Sequence, residues 1–249
     1  MIHIRDLWKH FGEKPVLRGI TFDVRDKETL VVLGKSGCGK SVMLKMIMGL
    51  MKPDSGSIEV DGADVATMDY ESLRRARLRF GFLFQGAALF DSMTVGENIE
   101  LALRRRPGYT DFEIDDRIQY ALSVVGLDNI AHMMPSALSG GMKKRVGLAR
   151  AIAPAPRYML YDEPTTGLDM ETADGINRLI NELRHKLGVT SIVVTHDIHS
   201  AFVVGERFAI LDRGMTLMTG TREEIQKSKN DDVRKYISSS LSTSGALHT

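Results

Sequence analysis

The chain carries one cysteine and one tryptophan in 249 residues, and it holds no apolar run near the roughly 18 residues that a membrane span needs. A single cysteine excludes an internal disulfide and suits a reducing compartment. Met1-Ile2-His3-Ile4-Arg5-Asp6 lacks the apolar core of a secretory signal, so the expected location is the cytosol. An excess of charge is also missing. With 33 basic against 32 acidic residues the net charge is +1, and nothing in that balance asks for nucleic acid as a partner. The short basic clusters, Arg104-Arg105-Arg106 and Arg74-Arg75 with Arg77 and Arg79, read as solvated faces. No internal repeat is present. What remains, 43% hydrophobic and 26% charged, is the composition expected of an ordinary soluble globular chain able to bury a sizeable core.

Against that plain background, Gly34-Lys35-Ser36-Gly37-Cys38-Gly39-Lys40-Ser41 follows the apolar run Leu30-Val31-Val32-Leu33 and precedes a helical pattern. This is where a phosphate-cradling loop between strand and helix sits. Small glycines let successive N–H groups face one anion, and the next helix adds its positive end. Lys40 is placed to reach the β- and γ-phosphates of a nucleoside triphosphate. Ser41 offers the hydroxyl that Mg²⁺ takes as an oxygen ligand. Cys38, beside Lys40 and a helix N-terminus, is expected to favour the thiolate.

Residues 1–33 alternate apolar and polar positions, as in Ile20-Thr21-Phe22-Asp23-Val24, which predicts antiparallel sheet. Leu44, Ile47, Met48 and Met51 recur at helical spacing until Pro53-Asp54-Ser55-Gly56 breaks the pattern, and a short strand follows. Helical patterns dominate from 87 to 156, including Asp111 to Val125. Apolar runs at 158–161, 191–195 and 208–211, separated by helical segments, have the rhythm of a parallel sheet. Residues 238–249 are serine-rich and poor in apolar surface, so they are expected to be mobile or ordered only against a partner. The expected organisation is one domain over 1–249 with a helical subdomain at about 87–156 and an extension at about 226–249.

Tyr158-Met159-Leu160-Tyr161 ends in Asp162-Glu163, as expected where one acid holds Mg²⁺ and its neighbour activates a water. Upstream, Leu138-Ser139-Gly140-Gly141-Met142 opens a helical run. The order of phosphate loop, Gln85, Ser139-Gly140-Gly141, Asp162-Glu163, Asp169 and His196 resembles that of the ABC-transporter ATPase subunits over residues 1–225. The resemblance implies a P-loop NTPase fold with an antiparallel β subdomain and a helical subdomain, with ATP and Mg²⁺ as cofactors. It also implies a homodimer in which ATP lies between one copy's loop (Gly34, Lys35, Ser36, Gly37, Cys38, Gly39, Lys40, Ser41) and the other copy's Ser139, Gly140 and Gly141. Phe11 then corresponds to the aromatic that stacks on adenine, with ordinary core packing as the alternative. Ser41, Gln85 and Asp162 serve the metal, Glu163 is the general base, His196 holds the γ-phosphate, and Asp169 links the paired sites.

Within that family, Phe84-Gln85-Gly86-Ala87-Ala88-Leu89-Phe90-Asp91-Ser92-Met93-Thr94-Val95 and the segment from Leu138 to Arg150 are similar to the ATPases of Mla-type phospholipid transporters. That similarity implies integral permease subunits, an Mce-domain lipid-binding protein and a small cytosolic regulator as partners, with the chain peripheral on the cytoplasmic face of the inner membrane. Met142 is shared with glycine-betaine importer ATPases, which remain an alternative, as does a non-transport switch coupled to envelope machinery.

Overall fold

The computed structural model describes residues 1–106 and 108–245, with side chains given up to 238. In chain order these residues form β1 (Ile2–Phe11), β2 (Lys14–Val24), β3 (Thr29–Gly34), α1 (Lys40–Ile47), β4 (Ser55–Val60), β5 (Ala63–Asp64) and α2 (Tyr70–Arg77). They continue as β6 (Phe80–Leu83), α3 (Val95–Leu103), α4 (Asp111–Val124), α5 (Gly140–Ile152), β7 (Tyr158–Asp162) and α6 (Met170–Leu187). The last elements are β8 (Thr190–Thr195), α7 (Ile198–Val204), β9 (Arg207–Asp212), β10 (Met215–Thr221), α8 (Arg222–Gln226) and α9 (Asp231–Gly245). Among the described residues no helix is long and apolar enough to cross a membrane.

Two compact units divide the chain: residues 1–73 with 190–249, and residues 74–189. The first holds two sheets. One is antiparallel, ordered β2-β1-β4-β5, as the alternation of residues 1–33 predicts. In the other, β3 lies between parallel β8 and β9, and β10 joins β9 antiparallel. Every residue of β3 and of β8 is buried, which is why both read as continuous apolar runs rather than alternating ones. Register matters here. Leu33 pairs with Thr195 and Gly34 with Leu211, so the phosphate loop and His196 leave the same edge of the sheet.

The second unit pairs β6 and β7 in parallel, Phe80 with Tyr158 through Leu83 with Tyr161. Helices α3 and α4 open on threonine capping boxes at Thr94 and Thr110. Helix α5 approaches β6 closely because glycines allow it. A Cβ on Gly81 would stand 2.5 Å from Ala151 O, and one on Gly147 would stand 2.9 Å from Leu83 Cδ1.

The serine-rich stretch runs on as backbone of α9 as far as Gly245, because Asn230 caps the first turn at Asp232 and Val233 while Val233 and Tyr236 bury their side chains. Residues 246–249 of the same stretch lie outside the described residues.

The first unit is tied by a shielded ion pair. Glu28 accepts from Arg207 Nη1 at 2.8 Å and from the Arg25 amide at 2.6 Å. Glu28→Ala leaves the Arg207 charge without its partner, so urea unfolding should show a loss of about 3 kcal/mol. Glu28→Gln keeps an acceptor for the Arg25 amide and should lose less.

Candidate functional site

In the first unit the loop after β3 turns through Gly37 at φ 80° and Gly39 at φ 101° into α1. Gly39 is required twice over. Its φ is left-handed, and a Cβ would stand 2.3 Å from Leu17 Cδ2. Lys35, Ser36 and Gly37 are exposed, while Cys38, Gly39 and Lys40 are buried. The Lys40 ammonium donates to Gly34 O at 2.6 Å and to Lys35 O at 3.2 Å, closing the loop on itself. Helix α1 has no side-chain cap bond and no acid in its first turn. Its first amides are therefore not satisfied by a cap, which is the condition an anionic phosphate meets.

Ser41 is the second residue of α1, so its hydroxyl rides on the same rigid turn as Lys40. His196 follows the last residue of β8 and is exposed, with its neighbour Asp197 capping α7 at His199 and Ser200. Phe11 ends β1 with 48% of its surface exposed, which removes core packing as its role.

Cys38 corrects an expectation. Burial pushes its thiol up from the ordinary value, and the Lys40 charge and amide offset this only in part. Sequence proximity to Lys40 is real, but the sulfur lies beneath the loop rather than on it.

In the second unit β6 and β7 bring Gln85, Asp162 and Glu163 to one strand edge, since Leu83 faces Tyr161 and the chain continues from there. Both acids are buried. Glu163 holds φ at 48°, a conformation that costs a non-glycine residue of order 1–3 kcal/mol and that clusters at functional positions. Thr166 Oγ1 donates to its carboxylate at 3.2 Å.

Sequence reading gave no role to Lys144, which is buried on α5 and donates to Gln85 O and, at 3.3 Å, to Glu163 O. Burial holds its ammonium below the ordinary lysine value, while the Asp162 and Glu163 charges oppose that shift. Helical spacing could have found it. Lys144 stands three, four and seven positions before Gly147, Leu148 and Ala151, on the buried face of the helix. Arg150 and Asn98 were missed in the same way. Arg150 donates at 2.6 Å to both Ala87 O and Ala88 O, and Asn98 donates to Phe90 O, Met93 O and Thr94 O. Together they hold a segment in which Ala87 and Ala88 both take left-handed φ.

Ser139 caps α5, accepting from Met142 N at 3.2 Å, and Asp169 caps α6, accepting from Thr172 N at 2.9 Å. The Thr172 hydroxyl and amide hold the Asp169 carboxyl below its usual range. A Cβ on Gly141 would stand 2.5 Å from Thr172 Cγ2, so glycine there is also a packing requirement between the two helix starts.

The ABC transporter family model matches residues 17–166. This chain belongs to that family. It is accordingly an ATP-binding, ATP-hydrolysing domain that works with Mg²⁺, and the uncapped α1, the buried Lys40 and the Ser41 hydroxyl fit that ligand. The solved ATP-binding cassette MJ0796, in a dimeric post-hydrolysis state bound to ADP and Pi, is 33% identical with a TM-score of 0.81, covering 89% of this chain and 98% of that one. Among curated family members, the probable ribonucleotide transport ATP-binding protein mkl of Mycobacterium leprae is 37% identical over 236 residues, 95% of this chain and 68% of that protein. The methionine import ATP-binding protein MetN of Brucella abortus is 36% identical over 220 residues, 88% of this chain and 59% of that protein. The chain thus spans roughly three fifths to two thirds of the length of these curated relatives.

The corrected view of Cys38 has a direct consequence. At neutral pH the folded protein should react with iodoacetamide at least ~10-fold more slowly than the urea-unfolded chain, because a buried thiol raised in pKa presents little thiolate. Mass spectrometry of timed labelling reads this, and equal rates would contradict it.

Proposed function

We propose that this chain is the ATPase subunit of a transporter that moves phospholipid between membranes of the bacterial envelope. Its partners on this reading are integral permease subunits, an Mce-domain protein and a small cytosolic regulator. The chain works as a homodimer on the cytoplasmic face of the inner membrane. Each copy's loop 34–41 holds the triphosphate from one side, and a second copy's Ser139-Gly140-Gly141 turn holds it from the other. Phe11 stacks on adenine, Ser41, Gln85 and Asp162 serve Mg²⁺, and Asp169 links the paired sites. Glu163 takes the proton of the attacking water, and His196 contacts the γ-phosphate.

The observation that carries the transporter reading is the segment around Gln85, residues 84–90. It exposes Phe84 and Phe90 while Arg150 and Asn98 fix its backbone, so it presents a rigid apolar surface to a partner. A loop built only to finish a metal site has no need of exposed aromatics. The likeness of residues 84–95 to Mla-type ATPases supports lipid as cargo, whereas Met142 is common to both readings. Similarity to the methionine import ATP-binding protein MetN fits the alternative, a glycine-betaine importer, only loosely.

Co-purification in mild detergent separates the two. Recovery with a multi-span permease and an Mce protein, with phospholipid in the extracted complex, is the expected result; recovery with a permease and a periplasmic solute-binding protein would overturn the lipid reading. Within the chemistry, Glu163→Gln should bind ATP with unchanged affinity and lower hydrolysis at least ~100-fold, the scale of general-base losses. Phosphate release measured at near-normal rate would remove Glu163 from that role.

A further inference from the structure

Gln85 and Glu163 sit just past the ends of two parallel strands, where the ladder between β6 and β7 has stopped. Backbone carbonyls at such positions need another donor if they are to stay buried. Lys144 supplies one to both, from a side chain only 5% exposed. We propose that Lys144 is a positioning residue for ATP hydrolysis, whose ammonium fixes the spacing between the Gln85 loop and the Glu163 turn by donating to a carbonyl of each. This rests on the assignment of Gln85 to the metal and Glu163 to the attacking water.

The reasons are mechanical. Glu163 occupies a left-handed conformation that relaxes unless its surroundings hold it; its carbonyl accepts from Lys144 and from the Thr166 amide, each at 3.3 Å, while Thr166 Oγ1 holds the carboxylate. Ala87 and Ala88 are strained in the same sense, and Arg150 pins them two turns further along α5. Lys144 also lies one helical turn beyond Gly140, at the start of the helix that begins with the Ser139-Gly140-Gly141 turn. A shift of that turn is therefore passed through one side chain to both loops. Small displacements of a base or metal ligand are costly, with about 1 Å able to lower rate a hundredfold.

The test compares Lys144→Met, which keeps the straight apolar stem, with Lys144→Arg, which restores a cation. In Lys144→Met, kcat should fall at least ~10-fold while KM for ATP stays within about twofold, the pattern of a group acting on the chemical step. Amide exchange over residues 84–90, where the Ala87 amide donates to Phe84 O at 2.9 Å, should accelerate about tenfold with α3 unchanged. Lys144→Arg should recover both readouts. Wild-type kcat and exchange in Lys144→Met would overturn the proposal. So would faster exchange throughout α3 to α5 with no recovery by arginine, which is the mark of packing alone. If Glu163→Gln hydrolyses ATP normally, the base is misassigned and the positioning role falls with it; if Glu163→Gln is inactive and Lys144→Met is normal, the positioning role alone falls.

Discussion

A buried ammonium must have acceptors, and the loops at the strand ends of both units are folded to provide them. Lys40 and Lys144 are each 5% exposed, and each donates to two main-chain carbonyls, Gly34 O with Lys35 O and Gln85 O with Glu163 O. Removing acceptors from a buried charge costs several kcal/mol. Strand-end carbonyls without a ladder partner have the complementary need. Charge and backbone thus satisfy one another at the strand ends of both units. Helix α5 repeats the device, with Arg145 donating to Val125 O at 2.7 Å and Arg150 to Ala87 O and Ala88 O at 2.6 Å. Lys144, Arg145 and Arg150 all hold main chain.

The treatment of helix starts follows the same logic. Thr94, Thr110 and Thr221 close capping boxes, and Ser139, Asp169 and Asp197 cap α5, α6 and α7. Each such cap contributes of order 1 kcal/mol. Helix α1 forgoes one. Its Ncap is a left-handed glycine with no side chain to accept from the first amides, so the positive end of the helix has no side-chain cap. On the proposed function a bound triphosphate supplies the acceptor that the sequence withholds.

How much of this was legible depended on where the signal sat along the chain. Strands β3, β7, β8 and β9 could be read because burial on both faces makes them unbroken apolar runs. Strand β6 was not read. It has four residues, and its partner β7 begins at Tyr158, so nothing local marks Phe80-Gly81-Phe82-Leu83 as sheet. Helix α2 buries only Ala76 and offers no apolar stripe. Strand β10 was missed although Arg213-Gly214 between β9 and β10 is a turn signal, because Thr216 and Thr219 dilute its apolar pattern. The phosphate loop and the acids are legible from their own spacing after apolar runs, Gln85 and His196 only from motif order, and each falls at a strand end. Depth was the hidden variable: sequence showed Cys38 beside Lys40 but not beneath the loop, and it showed Lys144 as one more cation in a basic run.

The account stands on a division of labour in which one copy presents loop 34–41 and a second copy presents the start of α5. Sedimentation equilibrium of Glu163→Gln with and without saturating Mg-ATP measures this directly, with a Gly140→Asp change in the same chain as the comparison, since a Cβ at Gly140 meets Leu168 Cδ2 only at an ordinary 3.6 Å. A dimer mass that appears only with nucleotide and is lost on Gly140→Asp is the predicted result; a monomer under both conditions, or an ATP-dependent dimer indifferent to Gly140→Asp, would contradict it.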